Sequence, residues 1–395
     1  MNVSMSRVGL CGFVPNMLQR RSGMRWSNLK VLTVVGARPQ FIKAAMVSHE
    51  LRECAGLRDL IVHTGQHYDR NMSDVFFDEL DIPKPDYNLS IGSATQGTQT
   101  GRMLEALEDV LMEQKPNCVV VYGDTNSTLA GALAAVKLHI PVVHVEAGLR
   151  SFNRRMPEEI NRILVDHASD LLLVPTETAM RNLMCEGFEQ DRVHLVGDVM
   201  YDAALFYAKK AEAASVILER LGLARKAYVL ATVHRAENTD NPKRLKRIFE
   251  ALAVVSREVP VVVPMHPRTQ AALQQEGTYG KTTDSICVIE PVGYLDMVML
   301  EKNALLIATD SGGIQKEAFF HGVPCITLRD ETEWTELVET GWNRIVSPTS
   351  CPAIVEAIES TLSSSGGSDT SPYGDGTAAA KTAQQIVELC KVVRD

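Results

Sequence analysis

From residue 29 to about residue 330 the chain alternates short, continuously apolar runs with longer helical patterns. The runs KVLTVVG (30–36), DLIVHTG (59–65), NCVVVYG (117–123), PVVHVEA (141–147), DLLLVPT (170–176) and RVHLVG (192–197) form one series. After a charged helical stretch at 209–226, a second series follows: YVLATVH (228–234), VPVVVPMH (259–266), ICVIEPV (286–292), NALLIATD (303–310) and VPCITL (323–328). Strands apolar on both faces and separated by helices predict parallel sheets covered on each side. Two such series predict an α/β chain of two doubly wound, Rossmann-type domains facing each other. The expected division is an N-terminal domain over 29–205 and a C-terminal domain over 206–377. The latter closes with the Ser/Gly-rich loop SSSGGSDTSPYGDG, and a terminal helix within 378–395 packs back on the first domain. Ligands of such folds bind beyond the carboxyl ends of the strands, so the strand exits are where chemistry is sought.

Composition narrows the partners. The 395 residues, 45% hydrophobic and 23% charged, suit a soluble globular protein of two domains. A net charge of −9 makes nucleic acid a poor partner and requires any anionic ligand to be met by a local basic cluster. The eight cysteines are scattered without a C-x-x-C pair, which suggests reduced thiols in the cytoplasm and no metal site. No apolar run approaches the ~20 residues of a membrane span. Residues 1–28 carry Arg7, Arg20, Arg21 and Arg25 and no acidic residue. Their apolar piece VGLCGFVPNML is interrupted by Gly and Pro, so a disordered basic extension is expected rather than a signal peptide.

The strand exits then supply candidates. In GARPQFIKAA, Gly36 permits a tight turn, and Arg38 and Lys43 place two cations near a helix start that already favours anions. An ordinary strand–helix turn would look similar. Neither G-x-G-x-x-G nor a Walker A sequence occurs, which disfavours nicotinamide cofactors and ATP. YGDTNST leaves the next strand at Asp124, and capping by Asp124 or Asn126 is the plain alternative. In HVEAGLRS, Glu146 ends a very apolar strand, where a carboxylate needs a partner; Arg150 is the expected one. MPEEINRILVDHAS begins a helix at Pro157, with Ile160, Ile163, Leu164 and His167 as its expected buried stripe. Glu158 and Glu159 suit the helix start electrostatically.

In the second half, HRAEN gathers His234, Arg235 and Glu237 at a strand exit, and PMHPR adds His266 and Arg268. The strongest piece is LLIATDSGGIQKEAFF. Its strand ends in Asp310, and Ser311, Gly312 and Gly313 open a helix whose amides could approach a phosphate. Glu317 follows on that helix, within reach of sugar hydroxyls. Glycine at a helix start costs stability, which favours a functional reason for two in a row.

Taken together, GARPQFIK, TGQHYDRNM, YGDTNST, HVEAGLRS, MPEEINR, HRAEN, TDSGGIQKEA and LRDETEW resemble the non-hydrolysing UDP-N-acetylglucosamine 2-epimerase family. The resemblance runs from about residue 29 to the C-terminal helix. It implies a GT-B-like fold with the active site in the cleft between the domains, a UDP-sugar substrate, no cofactor and a homodimer. Residue by residue, it implies that Arg38 and Lys43 bind phosphate and that Asp124, Glu146, Glu158 and His234 are catalytic. It further implies that Ser311, Gly312 and Gly313 cradle the diphosphate and Glu317 holds the ribose. The implied reaction interconverts UDP-GlcNAc and UDP-ManNAc for surface polysaccharide precursors. UDP is eliminated from C1 with loss of the C2 proton, and UDP then adds back as a proton reaches the opposite face of C2.

Several positions depart from the family pattern. HRAEN has Ala236 where HRREN is common, and TEWTE has Trp334 where many members carry a substrate-site arginine. QHYDRNM differs from the shorter QHRxM pattern tied to an activating second UDP-sugar, which puts allosteric activation in doubt. These variants resemble a branch acting on UDP-2,3-diacetamido-2,3-dideoxy-glucuronic acid, the alternative substrate. A GT-B glycosyltransferase would share the fold but not the need for three carboxylates in the N-terminal half. A hydrolysing epimerase would carry a fused kinase domain, and a mere binding protein would not need those carboxylates beside His234.

Overall fold

The computed structural model describes residues 29–66, 84–277, 279–364, 367–368 and 370–392. The expected N-terminal extension and all of QHYDRNM except Gln66 lie outside the described residues.

Each apolar run of the sequence is a strand, and both sheets are wholly parallel. The first consists of β1 (Leu29–Val35), β2 (Leu57–His63), β3 (Tyr87–Asn88), β4 (Cys118–Tyr122), β5 (Val142–Val145), β6 (Leu171–Val174) and β7 (Val193–Leu195), in the order β3-β2-β1-β4-β5-β6-β7. The second consists of β8 (Val229–Thr232), β9 (Val261–Pro264), β10 (Cys287–Ile289), β11 (Leu306–Thr309), β12 (Cys325–Thr327) and β13 (Asn343–Ile345), in the order β10-β9-β8-β11-β12-β13. β3 and β13 were not foreseen: each is two or three residues of mostly polar sequence at a sheet edge. Strand order reverses at β1/β4 and at β8/β11, the two places where such sheets open a crevice for ligands.

Alternate side chains of one strand feed two cores. In β1, Val31 and Val35 join the core that faces the other sheet, while Leu32 and Val34 join the outer one. In β8, Leu230 points inward and Val229 and Ala231 outward. The inner core is continuous from Leu29 to Ala318, with Met200, Tyr207 and Tyr294 between the sheets. The helix Val199–Ala214 runs unbroken through residue 205, where the sequence reading placed the domain boundary. It packs against helices of both halves. The helix Ala378–Val392 lies on the helix Arg38–Arg52 and beside β4, with Cys390 Sγ 3.2 Å from Cys118 Sγ. Asp202 Oδ2 accepts the Ala379 N–H at 2.7 Å and so anchors the start of that last helix. No helix among the described residues is long and apolar enough to cross a membrane.

One expectation fails at the helix Pro157–Ala168. Its buried face is not Ile160, Ile163, Leu164 and His167 but Glu159, Asn161, Arg162, Val165 and Asp166. Leu164 is 44% exposed, and His167 is exposed as well. Periodicity of apolar residues misleads here because the helix covers the polar loops at the exits of β4 and β5, not a hydrophobic sheet face. Its inward side chains are there to satisfy backbone groups and charges.

Candidate active site

The two switch points face each other across a cleft of about 740 Å³. Arg38 and Phe41 from the first half line it, opposite His234, His266, Tyr294, Glu301, Ser311, Gly313 and Glu317 from the second. Six sequence candidates therefore share one cavity: Arg38, His234, His266, Ser311, Gly313 and Glu317.

At the exit of β1, Gly36 is required by close approach. A Cβ there would stand 2.0 Å from Ser127 Oγ and 2.3 Å from Thr64 Oγ1. The Gln40 side chain accepts the Gly36 and Ala37 N–H groups at 2.8 and 3.0 Å, so this turn is held by the chain itself. Arg38 reaches into the cleft, its guanidinium 6.0 Å from the centre of the Tyr294 ring. The Tyr294 hydroxyl donates to Glu317 Oε1 at 3.4 Å. Burial pushes the Glu317 carboxyl upward against the pull of Arg38 and Lys316. Glu301, 1% exposed, lines the same wall, and its Oε2 has no hydrogen-bond partner among the described residues. Burial and the nearby Glu317 raise it well above the usual carboxyl range, against the pull of Arg38.

At β8 and β11, fully buried Asp310 ties the exits together. Its carboxylate accepts the backbone N–H of His234 at 3.1 Å, that of Arg235 at 3.0 Å, and Asn238 Nδ2 at 3.0 Å. His234 Nδ1 lies 3.5 Å from Asp310 Oδ1, and the ring sits 5.8 Å from that of His266. Burial, opposed by Asp310, holds the His234 imidazole below its ordinary value, which leaves it neutral. Ser311 is the N-cap of the helix Gly312–Phe320 without capping it by its own side chain. The hydroxyl and the first-turn amides are open to a ligand.

The two glycines differ. A Cβ on Gly312 would stand 2.5 Å from Glu333 Oε1, whereas one on Gly313 would meet nothing closer than Ser311 Oγ at 3.9 Å. Gly312 makes room for Glu333, itself held by Arg329 at 2.9 Å and Arg235 at 4.0 Å. Only Gly313 faces the cleft.

The candidate carboxylates Asp124, Glu146 and Glu158 do not line this cleft. Glu146 follows β5 in a left-handed conformation, φ 72°, which a non-glycine residue adopts at a cost of about 1–3 kcal/mol. It is paired with Lys43, not with Arg150 as expected, and with Lys316 Nζ at 3.0 Å. Burial alone would raise its carboxyl, but the two ammonium groups outweigh burial and hold it far below the usual range. Lys43 is thereby engaged with Glu146 and does not line the cleft where a phosphate ligand was expected. Arg150 instead binds Asp166 at 2.7 Å and Glu186 at 2.7 Å. Asp166 also accepts from His144 Nδ1 at 2.6 Å and from the Gly148 N–H at 3.1 Å, fixing the turn that carries Glu146.

Asp124 does not cap its helix, because Thr125 does. Its carboxylate receives Arg162 Nη2 at 2.6 Å and Nε at 3.0 Å. Arg162 also donates to Glu159 at 2.9 Å. Glu159 further accepts the Ser151 N–H at 2.8 Å, the Ser151 hydroxyl at 2.9 Å and the Phe152 N–H at 2.9 Å. It is thus the anchor of the 150–156 loop rather than a dipole charge. Glu158 is exposed on the first turn and makes no hydrogen bond or ion pair among the described residues, so it is free to meet a ligand.

The sequence reading missed Lys316, Asp198, Glu301 and Tyr373. Lys316 Nζ bridges Glu146 and Asp198 Oδ2, the latter at 2.6 Å, and lies 4.2 Å from the centre of the Trp334 ring. Trp334, read only as the loss of an arginine, provides the π face over that cation. The available signal was Lys316-Glu317 as an isolated charged pair in the otherwise uncharged helix GGIQKEAFF.

Comparison with known proteins agrees with this geometry. The family described as UDP-N-acetylglucosamine 2-epimerase matches residues 49–387. A UDP-2,3-diacetamido-2,3-dideoxy-D-glucuronate 2-epimerase of Pseudomonas aeruginosa is 52% identical over 365 residues, 91% of this chain and 100% of that protein. A UDP-N-acetylglucosamine 2-epimerase of Methanocaldococcus jannaschii is 45% identical over 373 residues, 91% of this chain and 98% of its own. The crystal structure of the Methanocaldococcus jannaschii UDP-GlcNAc 2-epimerase with UDP-GlcNAc and UDP superposes with a TM-score of 0.82 at 44% identity, covering 91% of this chain and 99% of that one. The expected GT-B-like architecture is the fold of these neighbours, and the chain belongs to the UDP-N-acetylglucosamine 2-epimerase family.

Proposed function

We propose that this protein inverts C2 of a UDP-linked 2-acetamido sugar by eliminating and re-adding UDP. One observation carries the reading. Glu146, its side chain 10% exposed, is held ionised in a strained backbone by Lys43 and by Lys316, the latter on the helix whose N-terminus opens onto the cleft at Ser311. Arg38 and the amides after Ser311 suit the diphosphate, and Glu317 suits the ribose. As the C1–O bond breaks, its electron pair leaves with UDP and positive charge grows at C1, which an ionised Glu146 stabilises. The C2 proton passes to a carboxylate, and its electrons form the C1=C2 bond of the glycal. In the reverse step UDP oxygen attacks C1 while a proton reaches C2 on the other face. Asp124 and Glu158 are the proton-handling groups and Glu146 the fixed negative charge, with neutral His234 beside the phosphates.

The 52% identity to the Pseudomonas aeruginosa enzyme favours the diacetamido-glucuronate as substrate. The second reading, UDP-GlcNAc and UDP-ManNAc, is favoured by the archaeal relatives and their UDP-GlcNAc complex. A cytoplasmic homodimer belongs to the same proposal; its support is the free thiols of the seven described cysteines and the family resemblance. The test is incubation with each UDP-sugar in heavy water, followed at C2 by NMR. Deuterium at C2 and the manno epimer are expected from one of them, and from neither with Glu146→Gln, which still binds UDP. The reading fails if wild-type protein exchanges C2 of neither sugar.

A further inference from the structure

We propose that Lys316 is a positioning residue that clamps Glu146 across the cleft and ties its placement to the seating of the nucleotide. The inference rests on the epimerase reading above and adds to it a residue that the sequence motifs did not mark.

Lys316 belongs to the second half of the chain, yet both its ion-pair partners belong to the first. Nζ donates to Glu146 Oε1 at 3.0 Å and to Asp198 Oδ2 at 2.6 Å. The side chain is 4% exposed, with the ring centres of Trp334 and Tyr373 at 4.2 and 6.0 Å. A buried ammonium is tolerable only when its charge is answered. Here Lys43 and Lys316 balance Glu146 and Asp198, and the four groups together are neutral.

The helix carrying Lys316 also carries the nucleotide ligands. Ser311 and Gly313 stand at its N-terminus, and Glu317 is adjacent to Lys316 on the next turn. The first turn and Lys316 share one nine-residue hydrogen-bonded helix. Any shift that seats a diphosphate on its first turn therefore carries Lys316 with it. Glu146, whose backbone conformation is strained, is then oriented by the ligand-bearing helix as well as by its own domain.

The charged and titratable groups around the pair are few. Glu146 faces Lys43 from the helix Arg38–Arg52 and Lys316 from the helix Gly312–Phe320. Lys316 faces Asp198 at the start of the helix Val199–Ala214, Glu336 in the helix Thr335–Glu339, and Tyr373. Without Lys316, Glu146 keeps Lys43 alone and Asp198 has no ion-pair partner among the described residues.

The test compares Lys316→Met, Lys316→Arg and Asp198→Asn with wild type in the full chain, measuring kcat and KM for C2 epimerisation from pH 5.5 to 9. Lys316→Met is expected to lower kcat about 100-fold with little change in KM. Lys316→Arg, which keeps the cation, should restore most of kcat. Asp198→Asn removes the second anchor of Lys316 and should lower kcat about 10-fold with KM little changed, which keeps the proposal testable if Lys316→Met does not fold. An unchanged kcat in Lys316→Met, an equal kcat loss in Lys316→Arg, or an unchanged kcat in Asp198→Asn overturns it. Absence of exchange in wild type would instead sink the epimerase reading itself.

Discussion

Asp202 offers a stability test whose sign and size follow from its surroundings. Its Oδ2 anchors Ala379 at the start of the last helix, while Oδ1 meets no partner among the described residues. Burial, reinforced by Asp198 and Asp375 and opposed by the Ala378 and Ala379 amides, raises its carboxyl to about 6 from the usual 3.8. The folded chain therefore binds this proton more tightly than the unfolded chain. Its stabilising effect is complete below the unfolded value and is lost as pH rises through the folded one. A rise of roughly two units is worth about 3 kcal/mol at most. Asp202→Asn retains an acceptor for Ala379 and cannot ionise, so it escapes this loss. Between pH 5 and 7 the variant should gain about 1.4 kcal/mol relative to wild type, which for a chain of 395 residues is a widening of the Tm difference by about 2 °C. Above pH 7 the difference should be flat. Thermal melts followed by circular dichroism from pH 5 to 8 read it. A Tm difference that is constant over that range, or that narrows as pH rises, refutes the argument.

Two further substitutions test the site. Gly312→Ala places a Cβ against the Glu333 carboxylate, which must swing away from Arg329, and should leave stability within about 1 kcal/mol of wild type while weakening UDP binding. Gly313→Ala meets no such atom, so its Tm should stay within about 1 kcal/mol of wild type, the cost of side-chain exchange in a helix. A loss of UDP affinity by calorimetry in Gly313→Ala would then report direct ligand contact, and unchanged affinity would remove Gly313 from the phosphate site. Glu159→Gln replaces one acceptor oxygen by a donor within a shell of four donors. We expect about 1–3 kcal/mol of destabilisation, faster hydrogen exchange in residues 150–156 and a lower kcat. Wild-type exchange in that loop would show that Glu159 does not hold it.

What the chain order determines by itself is the part written in local spacing. Continuous apolar runs between helical stretches specify parallel, doubly covered sheets, because such strands are buried on both faces. That rule places Arg38, Asp124, Glu146, His234 and Ser311 at strand exits from the sequence alone. The edge strands β3 and β13 escaped it because each is short and mostly polar, and an edge strand needs no apolar face. The helix Pro157–Ala168 was misread because its inner side faces polar loops, a circumstance no periodicity within the helix can disclose.

Tertiary structure alone decided which charges meet. Lys43 and Glu146 lie 103 residues apart, Lys316 and Glu146 lie 170 apart, and Lys316 and Asp198 lie 118 apart. Neighbouring charges in sequence suggested Arg150 as the partner of Glu146, but the turn after β5 points the two side chains to different places. Arg150 goes to Asp166 and Glu186, while Glu146 turns to Lys43 and Lys316. Ion pairing depends on distance in space and on burial, and both are set only when the two sheets close on each other. The identities of the working carboxylates were legible along the chain; their partners, and with them their charge states, arise from the fold.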